Sequence, residues 1–184
     1  DIISAFIKSI RGSDPNAAVY WLARMVEAGE DVKFIARRLI ILASEDIGNA
    51  NPTALVIANN TFQAVTTIGF PESRIILSQC ATYLACSSKS NASYMAINKA
   101  QNLVKETGSL SIPLEIRNAP TKLMKELGYG DNYKYAHNYD NNFANQEFMP
   151  DDLKGFKLYD PANNTRENSQ REFLKRRWKN KYDY

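Results

Sequence analysis

Two adjacent carboxylates, Glu45 and Asp46, are the first groups in this chain whose type and spacing could do chemistry. A pair of acids can divide acid and base work between them. They stand late in an apolar stretch, Asp31–Gly48, whose early charges are Lys33, Arg37 and Arg38. That order opposes the helix dipole, which favours anions at the start and cations at the end by roughly 0.3–1 kcal/mol per charge. Two explanations stay open. The acids pair with neighbouring helices or cap the next one, or they form a functional pair.

The single histidine, His137, sits in Tyr135-Ala136-His137. A lone histidine beside tyrosines reads as a hydrogen-bonded structural residue, with a catalytic base as the sharper alternative. The end of the chain is basic: from Arg166 to Tyr184, seven cations against three anions leave +4, more than the +3 of the whole sequence. Arg171, Lys175, Arg176, Arg177 and Lys179 surround Trp178, which suits either a solvated helix face or a segment that contacts nucleic-acid phosphates. Tyr20 and Trp21 read as core or interface residues rather than a stacking platform.

Other chemistry is missing. A P-loop needs a glycine followed by lysine and then serine or threonine, and none exists here. Gly128-Tyr129-Gly130 lacks the third glycine of a dinucleotide fingerprint and follows a helical pattern where a strand is required. There is no G-x-S-x-G elbow and no H-E-x-x-H. Cys80 and Cys86 point apart on a helix, so no disulfide is expected, and no ligand cluster surrounds them to hold zinc. These absences predict no catalytic residues, no cofactor and no metal in this chain. No signal peptide is legible, and no apolar run approaches the roughly 18–20 residues of a membrane span. A cytosolic, reducing location is the default expectation. The sequence opens on Asp1 inside an amphipathic pattern, which suggests a piece of something longer.

The elements that would position these groups are helical. Ile2, Ile3, Phe6, Ile7 and Ile10 share one face of a first helix closed by Gly12. Asp14-Pro15 opens a second, which stops at Gly29. Asp31 caps the apolar stretch, and Gly48 is expected to end it in a left-handed conformation. Phe34, Ile40, Ile41 and Ile47 put apolar groups outside its main stripe, which predicts a central helix with neighbours on most faces. Asn51-Pro52 repeats the opening signal for a helix ending at Gly69. Pro71 starts the next, and Ser90 caps another that runs to Gly108. Asp14-Pro15-Asn16-Ala17-Ala18-Val19 echoes Asn51-Pro52-Thr53-Ala54-Leu55-Val56, as in an α-solenoid; no third copy appears, which favours shared capping chemistry as the source of the echo.

Residues 1–128 therefore read as an all-α bundle of about six or seven helices, the last of them opened by Pro120. Residues 129–165, rich in Asn and Tyr, read as an irregular arm anchored by aromatics such as Tyr133, Tyr139, Phe143, Phe148 and Phe156. Residues 166–184 read as a final basic helix.

Several strings, taken in order, carry a resemblance. They are Arg11-Gly12-Ser13-Asp14-Pro15 with Tyr20 to Met25, Ala36 to Leu39 with Ala43-Ser44-Glu45-Asp46-Ile47-Gly48, and Lys89-Ser90-Asn91-Ala92. Pro113-Leu114 follows, then Arg117 to Lys125, then Gly128-Tyr129-Gly130, and Tyr133 with Tyr135-Ala136-His137. The set resembles the C-terminal region of the replication-associated recombination protein A family. These are bacterial AAA+ ATPases related to the Werner-helicase-interacting protein. One departure is Asn163-Asn164-Thr165-Arg166, where members usually carry a glycine soon after a Tyr-x-Pro turn. Within the strings, Arg24, Arg37, Arg38, Glu45, Asp46, Asn118, Lys122 and His137 are the candidate structural or ion-pairing positions.

The resemblance implies a fold like a clamp-loader collar that holds subunits together as a homotetramer. It implies that ATP and Mg belong to a AAA+ module before Asp1. The parent would be a DNA-dependent ATPase that works on DNA at stalled forks, alongside single-strand-binding protein, in the bacterial cytoplasm and nucleoid. The residues themselves agree to this extent: the apolar central stretch and the aromatic arm give more apolar surface than a monomer of this size needs. A DNA-binding helical module using the basic C-terminal segment, and a free-standing α-solenoid adaptor or small helical enzyme, are the alternatives.

Overall fold

Asp14 opens its helix as cap chemistry dictates: its Oδ1 accepts from the Ala17 amide, and Pro15 follows in the first turn, where a missing N–H costs nothing. Asp1 and Asp31 cap in the same way, through the amides of Ser4 and Lys33. Each such cap is worth about 1 kcal/mol. A computed structural model describes all 184 residues, which form eight α-helices and no strand. The helices are α1 (Ile2–Arg11), α2 (Pro15–Glu27), α3 (Val32–Leu42), α4 (Thr53–Ile68), α5 (Ser73–Ala85), α6 (Ala92–Thr107), α7 (Lys122–Glu126) and α8 (Thr165–Trp178). The all-α bundle with an irregular aromatic arm and a final basic helix is what the sequence leads one to expect.

By contact the chain divides into two units. One comprises Asp1–Ile97 and Pro161–Ser169, the other Asn98–Asp160 and Gln170–Tyr184, so α6 and α8 contribute residues to both. The boundaries at 128 and 165 mark changes of composition, which is a different property from contact.

The core of the first unit is built around α3. Val32, Ile35, Ala36, Leu39 and Leu42 are buried, and α3 packs against α1, α4 and α5. Phe6 and Ile10 of α1, Leu77 and Leu84 of α5, and Ile47 join them with no exposed surface. Each such side chain contributes roughly 1.5–3 kcal/mol by leaving water. The central helix is thus real but not enclosed: Ile41 remains 48% exposed.

Three local expectations need correction. The apolar stretch does not run as one α-helix to Gly48. It changes at Ala43–Ile47 to a π-helical turn, then to a 3-10 turn over Gly48–Ala50. Gly48 takes φ 49° and ψ −132°, a positive-φ conformation but not the left-handed helical one. Asn51 does not cap α4. Its side-chain amide donates instead to Tyr83 Oη at 2.9 Å and Ser87 Oγ at 3.3 Å, leaving α4 without a side-chain cap. The basic segment is helical only to Trp178, because Lys179 turns to φ 50°.

In the second unit, aromatic residues hold the arm and the end of α8. Trp178 meets Phe143 and Phe148 edge-on, at centroid distances of 5.1 and 6.3 Å, and Tyr182 at 5.6 Å. Lys181 lies 4.5 Å above the Trp178 ring and pairs with Glu147 at 2.9 Å. In the first unit, Asn164 and Glu167 form a reciprocal clasp at the start of α8. The Glu167 amide donates to Asn164 Oδ1 at 3.0 Å, and Asn164 Nδ2 donates to Glu167 Oε2 at 2.6 Å. This is capping-box logic, and it gives the Asn163-Asn164-Thr165-Arg166 segment its local structure without a glycine.

Candidate functional site

Three strings far apart in sequence meet at one corner of the first unit. The last turn of α1 supplies Arg11, whose cation suits a helix C-terminus. Its Nε donates to Asp46 Oδ1 at 2.6 Å, and its terminal nitrogen lies 3.6 Å from Glu45 Oε1. The π-helical turn presents both acids toward α1. The Asp46 side chain is 10% exposed and that of Arg11 46%. The hydrogen bond to Asp46 holds the guanidinium above its ordinary pKa, against a smaller downward pull from burial. Asp46 Oδ2 is buried with no hydrogen-bond partner.

The α5–α6 link closes the corner. Lys89 Nζ donates to Ser13 Oγ at 2.9 Å, to the Ala85 carbonyl at 3.0 Å and to the Ser87 carbonyl at 2.6 Å. All three of its donors are engaged, and two satisfy carbonyls at the end of α5. Burial lowers the Lys89 pKa, against opposing pulls from Cys86 and Asp46. The Ser90 amide donates to the Asp46 carbonyl at 2.8 Å, and Ser90 Oγ accepts from the Ala92 amide at 3.3 Å, so the π-helical turn and the start of α6 are tied together. Gly48 is needed here: a Cβ would stand 3.0 Å from the Ser90 carbonyl oxygen.

This corner resolves the charge-order problem of α3. Glu45 and Asp46 find their cation on α1, and Arg37 pairs with Asp31 at 3.4 Å, which sets an anion beside the helix start. The arrangement is a lock of paired charges. No group of three or more metal-ligating side chains exists in the molecule. Glu45 and Asp46 belong to the first unit and His137 to the second.

The remaining candidates are placed as follows. Arg24 lies 5.3 Å from the Trp21 ring centroid. Arg38 is half-buried with an unpartnered Nε. Asn118 is exposed, and Lys122 is 3.8 Å from Glu126. His137 is exposed and leans on Tyr135 at 5.1 Å, with no hydrogen bond of its own. Along α8, Arg171 pairs with Asp160 at 2.9 Å, Arg176 Nε donates to the Glu172 carbonyl, and Arg177 Cζ lies 3.4 Å from the Phe173 ring centroid. Trp178 joins the aromatic cluster, while Lys175 and Lys179 are exposed. Sequence reasoning missed Arg11 and Lys89 as site residues. Both stand in the strings quoted above, but nothing local pairs Arg11 with an acid 35 residues away.

A family model described as the C-terminal part of the MgsA AAA+ ATPase matches residues 12–178. The chain is 48% identical over 164 residues to replication-associated recombination protein A of Coxiella burnetii, covering 89% of this chain and 37% of that protein. It is 44% identical over 164 residues to the protein of the same name in Escherichia coli, covering 89% and 37% respectively. It is 42% identical over 162 residues to the ATPase WRNIP1 of Dictyostelium discoideum, covering 87% and 18%. The chain thus spans little more than a third, or less, of the length of these relatives.

Proposed function

This chain belongs to the MgsA AAA+ ATPase C-terminal family, and on that footing we propose that it is the helical domain that joins copies of a AAA+ ATPase into a tetramer. The observation that carries this reading is apolar surface left open by several helices at once. Tyr20 of α2, Ile41 of α3, Val56 of α4 and Ile75 of α5 are 58, 48, 58 and 56% exposed. Single exposed apolar residues are ordinary, but four adjoining elements each contributing one favours association. The charge lock at Arg11–Asp46 then serves as the rigid corner of a scaffold, not as a reaction centre.

The parent protein, in this reading, binds ATP and Mg in a module outside this chain and hydrolyses ATP in a DNA-dependent way. It works on DNA with single-strand-binding protein at stalled forks, in the cytoplasm and on the nucleoid of a bacterium. The names of the relatives support a role in replication-associated recombination. Sedimentation equilibrium of this chain tests the subunit-joining claim. A tetramer is expected, and a monomer at tens of micromolar overturns it.

A further inference from the structure

Two apolar features of this chain are uncovered, one concave and one convex. The concave one is a groove of about 550 Å³ between α2 and α5, lined by Val19, Leu22, Ala23, Val26 and Ile75, with Glu27 and Arg74 among its polar lining. No residue of α6 lines it. The convex one is α6. None of its 16 residues is buried, and no other helix runs along it. Helices of this length are marginal in water without a packed face.

Large apolar residues nevertheless stand exposed on α6. Tyr94, Ile97 and Val104 are 41, 55 and 62% exposed. With Gln101 they follow a 3-4-3 spacing, which puts them on a single stripe. From Tyr94 to Val104 the stripe is about 15 Å long, and the groove wall from Val19 to Glu27 is about 12 Å at the same rise per residue. Lys105 stands beside the last turn of the stripe, and Glu27 stands at the groove. Neither makes an ion pair within the chain. Ridge and groove therefore complement each other in polarity, length and charge.

We propose that the α2–α5 groove of one copy receives the Tyr94–Ile97–Val104 ridge of α6 from a second copy, with Lys105 facing the partner's Glu27. The inference rests on the subunit-joining reading and names the surfaces that carry it. Because the two surfaces differ, the contact is head-to-tail, and repeating it around a rotation axis closes a ring.

The test uses two variants of the whole chain. One destroys the ridge (Ile97→Glu with Val104→Glu), the other the groove (Ala23→Glu with Ile75→Glu). All four positions are exposed, so the fold should tolerate them. Circular dichroism checks this, and serine at the same positions replaces any variant that loses helical signal. In sedimentation velocity each variant alone should fall from the wild-type oligomer to monomer. Mixed one to one, the intact groove of the first meets the intact ridge of the second, so heterodimers form and grow no further. Wild-type-sized oligomers of either variant overturn the pairing. So does a mixture that stays monomeric, which would mean that the intact groove and the intact ridge do not bind each other. A monomeric wild type sinks the subunit-joining reading itself, a result distinguishable from both.

Discussion

Replacing Arg11 with methionine isolates the charge lock. The variant keeps the apolar stem but removes the donor that lies 2.6 Å from Asp46 Oδ1. The carboxylate then loses its paired cation in a site where its other oxygen already lacks a partner. Breaking a fully buried pair costs about 3–5 kcal/mol, while a surface pair is worth about 0–1 kcal/mol. Here Asp46 lies near the buried limit, with its side chain 10% exposed, and Arg11 lies midway at 46%. The loss should be about 2 kcal/mol, after discounting for the exposure of Arg11. For a chain of this size that lowers Tm by about 4–8 °C. Asp46→Asn still offers Arg11 an acceptor and should cost about 1 kcal/mol. The double variant leaves no stranded charge, so its loss should fall short of the sum by about 1 kcal/mol. Urea denaturation followed by circular dichroism reads all four proteins at one concentration, since association would shift the midpoints. An Arg11→Met protein within about 0.5 kcal/mol of wild type, or strict additivity in the double variant, refutes the lock.

Three further outcomes are expected. Gly48→Ala should lose about 2–3 kcal/mol, more than Gly29→Ala, because both glycines have positive φ but only Gly48 faces a carbonyl at 3.0 Å; equal urea midpoints for the two variants would contradict this. Burial alone would raise the Glu147 pKa, but the hydrogen bond from Lys181 and the Met149 and Phe148 amides outweigh it and hold the carboxyl below its ordinary 4.5. A depressed carboxylate adds stability that is present above the unfolded pKa and lost as pH falls through the folded one, so acid titration of stability below about pH 4.5 should be steeper in wild type than in Glu147→Gln; parallel curves would dismiss the effect. Burial pushes the Cys80 thiol up to about 11, whereas Cys86 is exposed. A thiol reagent at pH 8 should label one cysteine in the native protein and both after unfolding, and Cys86→Ala should abolish native labelling; labelling of native Cys86→Ala would show that the α5 core opens.

The helices were legible because their signals are local. Asp14-Pro15 and Asp31 cap as their side chains dictate, and the stripes of α1 and α3 bury the residues that periodicity selects. What escaped depends on partners distant in the chain. Asn51 has the right type and place for a cap, yet its amide finds Tyr83 and Ser87, more than 30 residues on. The π-helical turn at Ala43–Ile47 has no signature of its own; Arg11 and the Ser90 amide engage it from outside. Glu45 and Asp46 were legible as misplaced charges, but the cation answering them was not. At the basic end, the cations around Trp178 suited either a solvated helix face or a phosphate-contacting segment. The fold spends that ring on Phe143, Phe148 and Tyr182, because its apolar area outweighs what solvent would offer it.

The central claim is that this domain joins subunits, and the mass of the chain in solution tests it most directly. Sedimentation equilibrium across micromolar concentrations should give a species of four times 20.8 kDa that persists on dilution. A single species of 20.8 kDa at tens of micromolar would contradict the account.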